Sequence, residues 1–379
     1  MSDKILTADF HFSFLGNPYL DSRVMNFAET LREKGKSVAV TGFDWYGKIP
    51  ENRRENFSVF EIERRPAIKF YYRFAKILRT ALEKTNAKIY VAEDVYTLPL
   101  VVKAAKKRNA KVYYDSRELY NYIGGLTKKP LAQKIIAKIE KKHIYSVDKI
   151  IVTGEMDKDF LADYYKLPNE KFIIIRNMPK IRGKVAPIDL REKFGIPENA
   201  KILIYQGVLS AGRGIAKVIK ALSDLPNTVF VIIGDGPERR NFEILTEKLN
   251  LEKRVIFTGA VPNEELLSYT AGADIGVALI ENISVSYYYA LPNKLFEYVA
   301  AGLPVVVSPL PQMKKIVERY KIGVTANPES EREIREAISK LTNDEKFYSE
   351  IKANTTEAAK ELNWDTEFLK AEKSFLLGE

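Results

Sequence analysis

The chain has no cysteine, which removes disulfides and thiolate metal sites from consideration. Two histidines, His11 and His143, are too few for a multi-histidine metal centre. No run of about 18 apolar residues occurs, so no segment reads as a membrane-spanning helix. The opening MSDKILTADFHFSFLG sets Asp3, Asp9 and His11 among apolar residues. It lacks the succession of basic, apolar and small residues that marks a secretion signal, and reads instead as a first strand. The expected setting is cytoplasmic. Nothing in the composition points to disorder: 46% of the 379 residues are hydrophobic, enough to fill the cores of two domains of ordinary size.

Charge is abundant but unevenly placed. Residues 1–180 carry 34 Lys and Arg against 22 Asp and Glu, whereas residues 181–379 carry 26 against 28. The positive excess therefore lies on the first half, and it points to a polyanionic partner there: a membrane surface, a phosphorylated lipid or a nucleic acid. Within it, residues 66–88 form an amphipathic helix, with Lys69, Arg73, Lys76, Arg79 and Lys84 along one side and Phe70, Phe74, Ile77 and Ala81 interleaved. Lys128, Lys129, Lys134, Lys138, Lys141 and Lys142 make a second basic cluster. Such faces suit either a solvated surface helix or one lying on anionic lipid. No recognised nucleic-acid motif occurs, and nucleic acid is not an expected partner.

In chain order, strands and helices alternate. Strand Lys4–Phe14, a loop with Gly16, a helix from Asp21 to Lys34 and strand Ser37–Thr41 make a βαβ unit, hence a parallel sheet with right-handed crossovers. Loops at the C-terminal ends of such strands line the ligand crevice, which places Gly16 there. Strands at Lys88–Ala92, Lys111–Tyr114, Ser146–Thr153 and Phe172–Ile175 complete a first domain, residues 1–180. Residues 181–200 are rich in Pro, Gly and charge and read as a linker. A second domain, 201–360, opens with strand Lys201–Gln206, the loop Gly207–Gly214 and a helix from Ile215. A strand, a glycine-rich loop bearing a cation (Arg213) and a helix N-terminus make an anion site; Gly207 and Gly212 have a P-loop's first spacing without its Gly-Lys-Ser/Thr ending. Strand Val229–Ile233 runs into Gly234-Asp235-Gly236-Pro237, and strand Arg254–Gly259 into a loop with Val261 and Asn263. Residues 361–379 form a last helix, with Trp364 as a packing anchor.

The stretch that ties the second half together is LPNKLFEYVAAGLPVVVS, residues 291–308. Leu295, Phe296, Val299 and Ala300 give its helix one apolar face; Gly302 and Pro304 end it; Val305–Val307 is a buried strand. Asn293, Lys294 and Glu297 fall within one turn of each other, so an amide, an ammonium and a carboxylate can address one crevice. An exposed Lys294–Glu297 pair is the alternative that spacing alone allows. Just before it, Tyr287–Tyr289 can stack on a sugar face or simply pack.

This stretch resembles the signature helix of the family 4 retaining glycosyltransferases, which have the GT-B fold: two Rossmann-like, doubly wound α/β domains facing across a cleft. Glu297 matches the second glutamate of the family's pair. Tyr289 stands where the first would fall, and Pro292-Asn293-Lys294 resembles a common variant. The loop at 207–214 resembles the family's diphosphate loop with Val208 in place of its first cation and Arg213 at its second. Asp115-Ser116-Arg117-Glu118 resembles Asp-Ser-His-Glu, with Arg117 where a histidine lies near the donor sugar. Arginine is always protonated and cannot act as a base, but it can clamp a phosphate or hydroxyl, or pair with Glu118 or Asp115.

The resemblance covers nearly the whole chain. It implies transfer of a sugar, with retention, from a nucleoside-diphosphate sugar (UDP- or GDP-linked) to a glycan or lipid-linked acceptor of cell-surface polysaccharide synthesis. The donor would be a co-substrate, and neither a cofactor nor a metal is implied. Arg213 and Lys294 would hold the diphosphate and Glu297 the ribose, with Arg117 completing the catalytic set. Donor contacts would come from Gly16, Gly207, Gly212, Gly234, Asp235, Val261, Asn263, Tyr289, Pro292 and Asn293. The first domain would take the acceptor, the last helix, 361–379, would cross back to that domain, and the protein would be peripheral at the inner face of a membrane. Two alternatives stand beside this reading: a catalytically degenerate nucleotide-sugar-binding protein, and a sugar-nucleotide epimerase on the same fold.

Overall fold

A computed structural model of the chain describes residues 5–50, 54–64, 67–123, 129–183 and 185–378. Three residues singled out from the sequence, Lys4 at the start of the first strand, Pro66 at the start of the expected helix and Lys128 in the second basic cluster, lie outside them.

The chain divides into two compact units, residues 1–176 with 368–379, and residues 177–367. Each is built on one parallel sheet. In the first unit β1 (Leu6–Ser13), β2 (Val38–Asp44), β3 (Phe57–Glu61), β4 (Thr85–Ala92), β5 (Lys111–Ser116), β6 (Lys149–Val152) and β7 (Phe172–Ile174) lie in the order β3-β2-β1-β4-β5-β6-β7. In the second, β8 (Lys201–Gln206), β9 (Thr228–Ile233), β10 (Val255–Gly259), β11 (Ile275–Ala278), β12 (Val305–Val307) and β13 (Gly323–Thr325) follow the order β10-β9-β8-β11-β12-β13. Both orders reverse direction once, at β1/β4 and at β8/β11, and the crevice outside the strands' C-terminal ends at such a reversal is where open α/β sheets bind ligands.

Both faces of these sheets are covered, so central strands are buried throughout and mostly apolar: every residue of β2 and of β9 is buried. Alternation then sorts side chains between two layers. Ile202 and Ile204 join one core of the second unit with Val229, Val231 and Phe296, while Leu203 and Tyr205 join the other with Phe230 and Ile232. The register keeps C-terminal ends level, with Ser13 beside Ala92 and Gln206 beside Ile233.

Two expectations need correction. The helix expected over 66–88 is described as Ala67–Glu83, and strand β4 already begins at Thr85. Residues 85–88 alternate buried and exposed, a strand pattern that the surrounding helical period concealed, so Lys84 and Lys88 lie beyond the helix. Segment 181–200 is no free linker, because Leu190, Ile196 and Ala200 are buried in the second unit's core around a short helix, Leu190–Phe194. The last helix, Trp364–Leu377, belongs to both units by sequence. Its Phe375 ring lies 5.2 Å from Phe27 and 5.6 Å from Phe10 inside the first unit. Trp364 is buried in the second, its N–H donating to the Pro179 carbonyl at 3.0 Å.

Candidate active site

At the C-terminal ends of β8 and β9 the backbone is drawn tight. Gly207 (φ +126°) and Gly234 (φ +132°) follow these strands in a region that favours glycine, and a Cβ on Gly234 would come within 2.0 Å of the Gly207 carbonyl oxygen. The loop beyond Gly207 is held by its neighbours: the Leu209 N–H donates to the Asp235 carbonyl at 3.0 Å, and the Glu281 N–H to the Gly212 carbonyl at 3.0 Å. Asp235 thus serves this loop through its backbone, while its side chain accepts from the Gly236 N–H at 2.7 Å. Val208, which occupies the first-cation position, is exposed.

Helix Asn293–Ala300 begins after Pro292 with no side chain capping its first N–H groups. The alternative of an exposed Lys294–Glu297 pair is excluded. Lys294 is 9% exposed, and its Nζ sits 3.7 Å from the centre of the Tyr205 ring. A Cβ on Gly207 would lie 3.3 Å from that Nζ, so the absent side chain leaves the ammonium directly against the loop. Among the described residues no carboxylate lies within ion-pair distance of it. Burial pushes the Lys294 pKa well below the usual lysine value, and Arg213 nearby adds to this, with Glu297 opposing. Arg213 itself lies 4.9 Å over the Tyr287 ring. Two cations are therefore gathered at one glycine loop, and one of them is buried without a counter-ion.

Glu297, one turn further on, accepts from the Gln206 side-chain amide, and Gln206 Oε1 lies 2.6 Å from the Thr270 hydroxyl. Burial raises the Glu297 pKa, while Gln206 and Lys294 pull it down. Gln206 and Thr270 were not singled out from the sequence. The only available signal for Gln206 was a polar residue ending an otherwise apolar strand; Thr270 gave none, being 64 residues away.

The remaining candidates spread around this centre. Pro292 is partly exposed and Asn293 exposed at the helix start. The Tyr289 carbonyl accepts from Gln312 at 2.5 Å, and its ring lies 5.3 Å from that of Tyr288. Val261 packs against the core, and exposed Asn263 opens the helix Asn263–Ala271 that carries Thr270 at its other end.

Gly16 and Arg117 belong to the first unit. Gly16 is buried in the loop after β1, its carbonyl accepting from the Phe43 N–H at 2.9 Å. Arg117 is no free clamp. Its guanidinium binds Asp21 at 2.7 Å, pairs with Glu93, reaches Asp115 at 3.5 Å and lies 4.7 Å over the Phe14 ring. Burial works against its charge, but the three carboxylates outweigh it and hold its pKa well above the usual arginine value. Arg23 grips Asp115 through two hydrogen bonds of 2.6 and 2.9 Å. Two guanidinium groups thus face three carboxyls, Asp21, Glu93 and Asp115. Glu93, fully buried, bears the imbalance: burial raises its pKa to about 8 against the pull of Arg117.

Two parallel, doubly wound α/β units of this topology define the GT-B fold. Residues 21–178 match the sequence model of the family described as Glycosyltransferase Family 4, and residues 188–359 that of Glycosyl transferases group 1. Together the two matches take in most of both units, and they support a family 4 glycosyltransferase. Among curated relatives, the alpha-monoglucosyldiacylglycerol synthase of Streptococcus pneumoniae is 24% identical over 72% of this chain and 64% of its own length. The uncharacterized glycosyltransferase MJ1607 of Methanocaldococcus jannaschii is 24% identical over 61% of this chain and 60% of its own. The chain therefore spans just under two thirds of the length of these relatives. Among solved structures, the sucrose-phosphate synthase of Thermosynechococcus elongatus superimposes with a TM-score of 0.79 at 19% identity, over 98% of each chain. Anabaena Alr3699/HepE, in complex with UDP and glucose, does so with 0.75 at 18%, over 98% of this chain and 99% of its own. At these identities the likeness is one of fold.

Proposed function

We propose that the protein transfers a sugar, with retention, from a nucleoside-diphosphate sugar to a glycan or lipid-linked acceptor of cell-surface polysaccharide synthesis. The observation that carries this reading is Lys294: an ammonium enclosed beside a glycine loop, lacking a carboxylate partner and accompanied by Arg213, is a site prepared for a multiply charged anion. A diphosphate fits that requirement, and the UDP and UDP-glucose complexes of Alr3699/HepE support a nucleotide-sugar donor. In the proposed reaction Arg213 and Lys294 neutralise the charge that grows on the departing diphosphate, by dipoles and charges set before the reaction starts. Glu297 holds the ribose hydroxyls. The donor reading is tested by melting curves with UDP, GDP, ADP and their sugar conjugates on wild type and Arg213→Ala. At about 100 times its Kd a ligand stabilises by about 2.7 kcal/mol. One diphosphate class should raise the melting temperature of the wild type and leave the variant unmoved; no response to any of them would turn the reading towards a degenerate binding protein.

The acceptor side is read from the first unit's surface. Helices Ala67–Glu83 and Pro130–Ile144 both pack against helix Leu98–Lys107. They expose Lys69, Arg73, Lys76, Arg79, Lys134, Lys138, Lys141 and Lys142, together with Ile68 and Leu131, which are 87% and 73% exposed. Across the three helices the carboxylates are Glu83 and a buried Glu140. Cations interleaved with bare apolar side chains suit the surface of an anionic bilayer, where each basic residue contributes about 1 kcal/mol. The protein should co-sediment with vesicles containing anionic lipid and be released by high salt. Binding indifferent to lipid charge would count against a membrane-proximal acceptor.

A further inference from the structure

We propose that Gln206 and Thr270 are positioning residues that fix and orient the Glu297 carboxylate for a nucleotide's ribose hydroxyls; this rests on the nucleotide-sugar reading above.

Gln206 is 2% exposed and Thr270 0%, so neither side chain can turn to water for a missing partner. Thr270 has one hydroxyl hydrogen and two acceptors in reach, Gln206 Oε1 at 2.6 Å and the Leu266 carbonyl at 2.7 Å. The Leu266 carbonyl lies four residues back in the same helix and already accepts a backbone N–H. Among the described residues Gln206 Oε1 has no other donor, and leaving it bare costs more than leaving a helical carbonyl with one bond. The hydroxyl hydrogen therefore goes to Gln206. That assignment fixes the amide: with its oxygen committed to Thr270, its N–H must face Glu297 Oε2, and an N–H donor demands an acceptor there. The Gln206 N–H thus favours the ionised form of Glu297 against the effect of burial, with one oxygen tied back to Gln206 and the other left to a ligand. The three residues come from the end of β8, from helix Asn263–Ala271 and from helix Asn293–Ala300, so the relay also ties these elements together at the loop.

The test uses the full chain and two probes. Inorganic pyrophosphate reads the cations alone. Whichever of UDP, GDP and ADP binds the wild type most tightly, with its 2′,3′-dideoxy counterpart, reads the hydroxyl contact. Gln206→Leu should weaken the nucleotide about tenfold or more and Thr270→Val about threefold, while Thr270→Ser, which keeps the hydroxyl, should bind like wild type. Pyrophosphate affinity should stay within about twofold throughout, and the dideoxynucleotide should be indifferent to all three changes. An equal loss for pyrophosphate or for the dideoxynucleotide, or no loss for the nucleotide, would overturn the proposal. If the wild type binds none of the nucleotides, the donor reading fails, and a ligand-free readout still decides on the relay. Gln206→Leu should lower the melting temperature more at pH 8, where Glu297 needs the donor, than at pH 5; a loss equal at both would make Gln206 a packing residue only.

Discussion

Lys294→Met should melt above the wild type at pH 7 when no ligand is present, and should no longer respond to a nucleoside diphosphate. The two halves of this result come from one cause. A methionine fills nearly the same space as the lysine stem and can keep the contact with the Tyr205 ring. It removes a group whose charged form burial disfavours and for which no carboxylate stands within ion-pair distance among the described residues. Relief on the order of 1–3 kcal/mol is the expected scale for replacing a strained buried charge by an apolar side chain of similar volume. The pH dependence has a definite sign. The folded-state pKa lies below the unfolded one, so between the two values the unfolded chain binds the extra proton and wild-type stability rises with pH. The advantage of Lys294→Met should therefore shrink as pH is raised from 7 towards 10. In turnover, loss of one preorganised charge at a developing diphosphate corresponds to about a hundredfold or greater fall in kcat/KM. A variant that melts lower than wild type across this range would make Lys294 a structural residue and remove the principal support for an anion site.

The sequence made the site's cations visible because glycine spacing and helical period are local properties. Gly207, Arg213, Lys294 and Glu297 each lie in a short stretch whose pattern announces a strand end, a tight loop or a helix face. What it could not show was how each charge is balanced. From spacing, Lys294 and Glu297 had equal claim to be a surface pair; only the packing of Lys294 beneath Gly207 and of Glu297 against Gln206 separates the two descriptions. Arg117 makes the same point in the other direction. Its residue type fits a phosphate clamp, yet Asp21 and Glu93, 96 and 24 residues away, occupy it. The boundary errors have a similar origin. Segment 181–200 has a linker's composition, but three apolar residues in it suffice to dock it into a core. Residues 85–88 continue a helical charge pattern while their burial alternates as in a strand. Composition describes a segment's preferences, and tertiary contacts decide among them.

Arg23→Met should be the most damaging single change at the C-terminal edge of the first sheet. Arg23 is 1% exposed; it holds Asp115 with two hydrogen bonds and donates a third to the Ile175 carbonyl at 2.8 Å. Removing it leaves Asp115 dependent on the longer contact from Arg117, which Asp21 and Glu93 already share. Breaking a buried pair by deleting one partner costs about 3–5 kcal/mol, and in a unit of this size each kcal/mol lowers the melting temperature by about 2–4 °C. Glu93→Gln should behave differently, because it removes the carboxyl in excess over the two guanidinium groups. Glu93 has its pKa raised to about 8 in the fold, so from the usual glutamate range up to that pH the native state keeps a proton that the unfolded chain has lost. Wild-type stability should accordingly fall as pH rises from 5 to 8, by at most about 1.4 kcal/mol per unit from this group, and Glu93→Gln should lack that slope. Urea unfolding of the three proteins at pH 5, 6.5 and 8 separates the cases. A wild-type curve flat over this interval, or a Glu93→Gln variant as unstable as Arg23→Met, would mean that the third carboxyl is fully paired and that the cluster carries no excess charge.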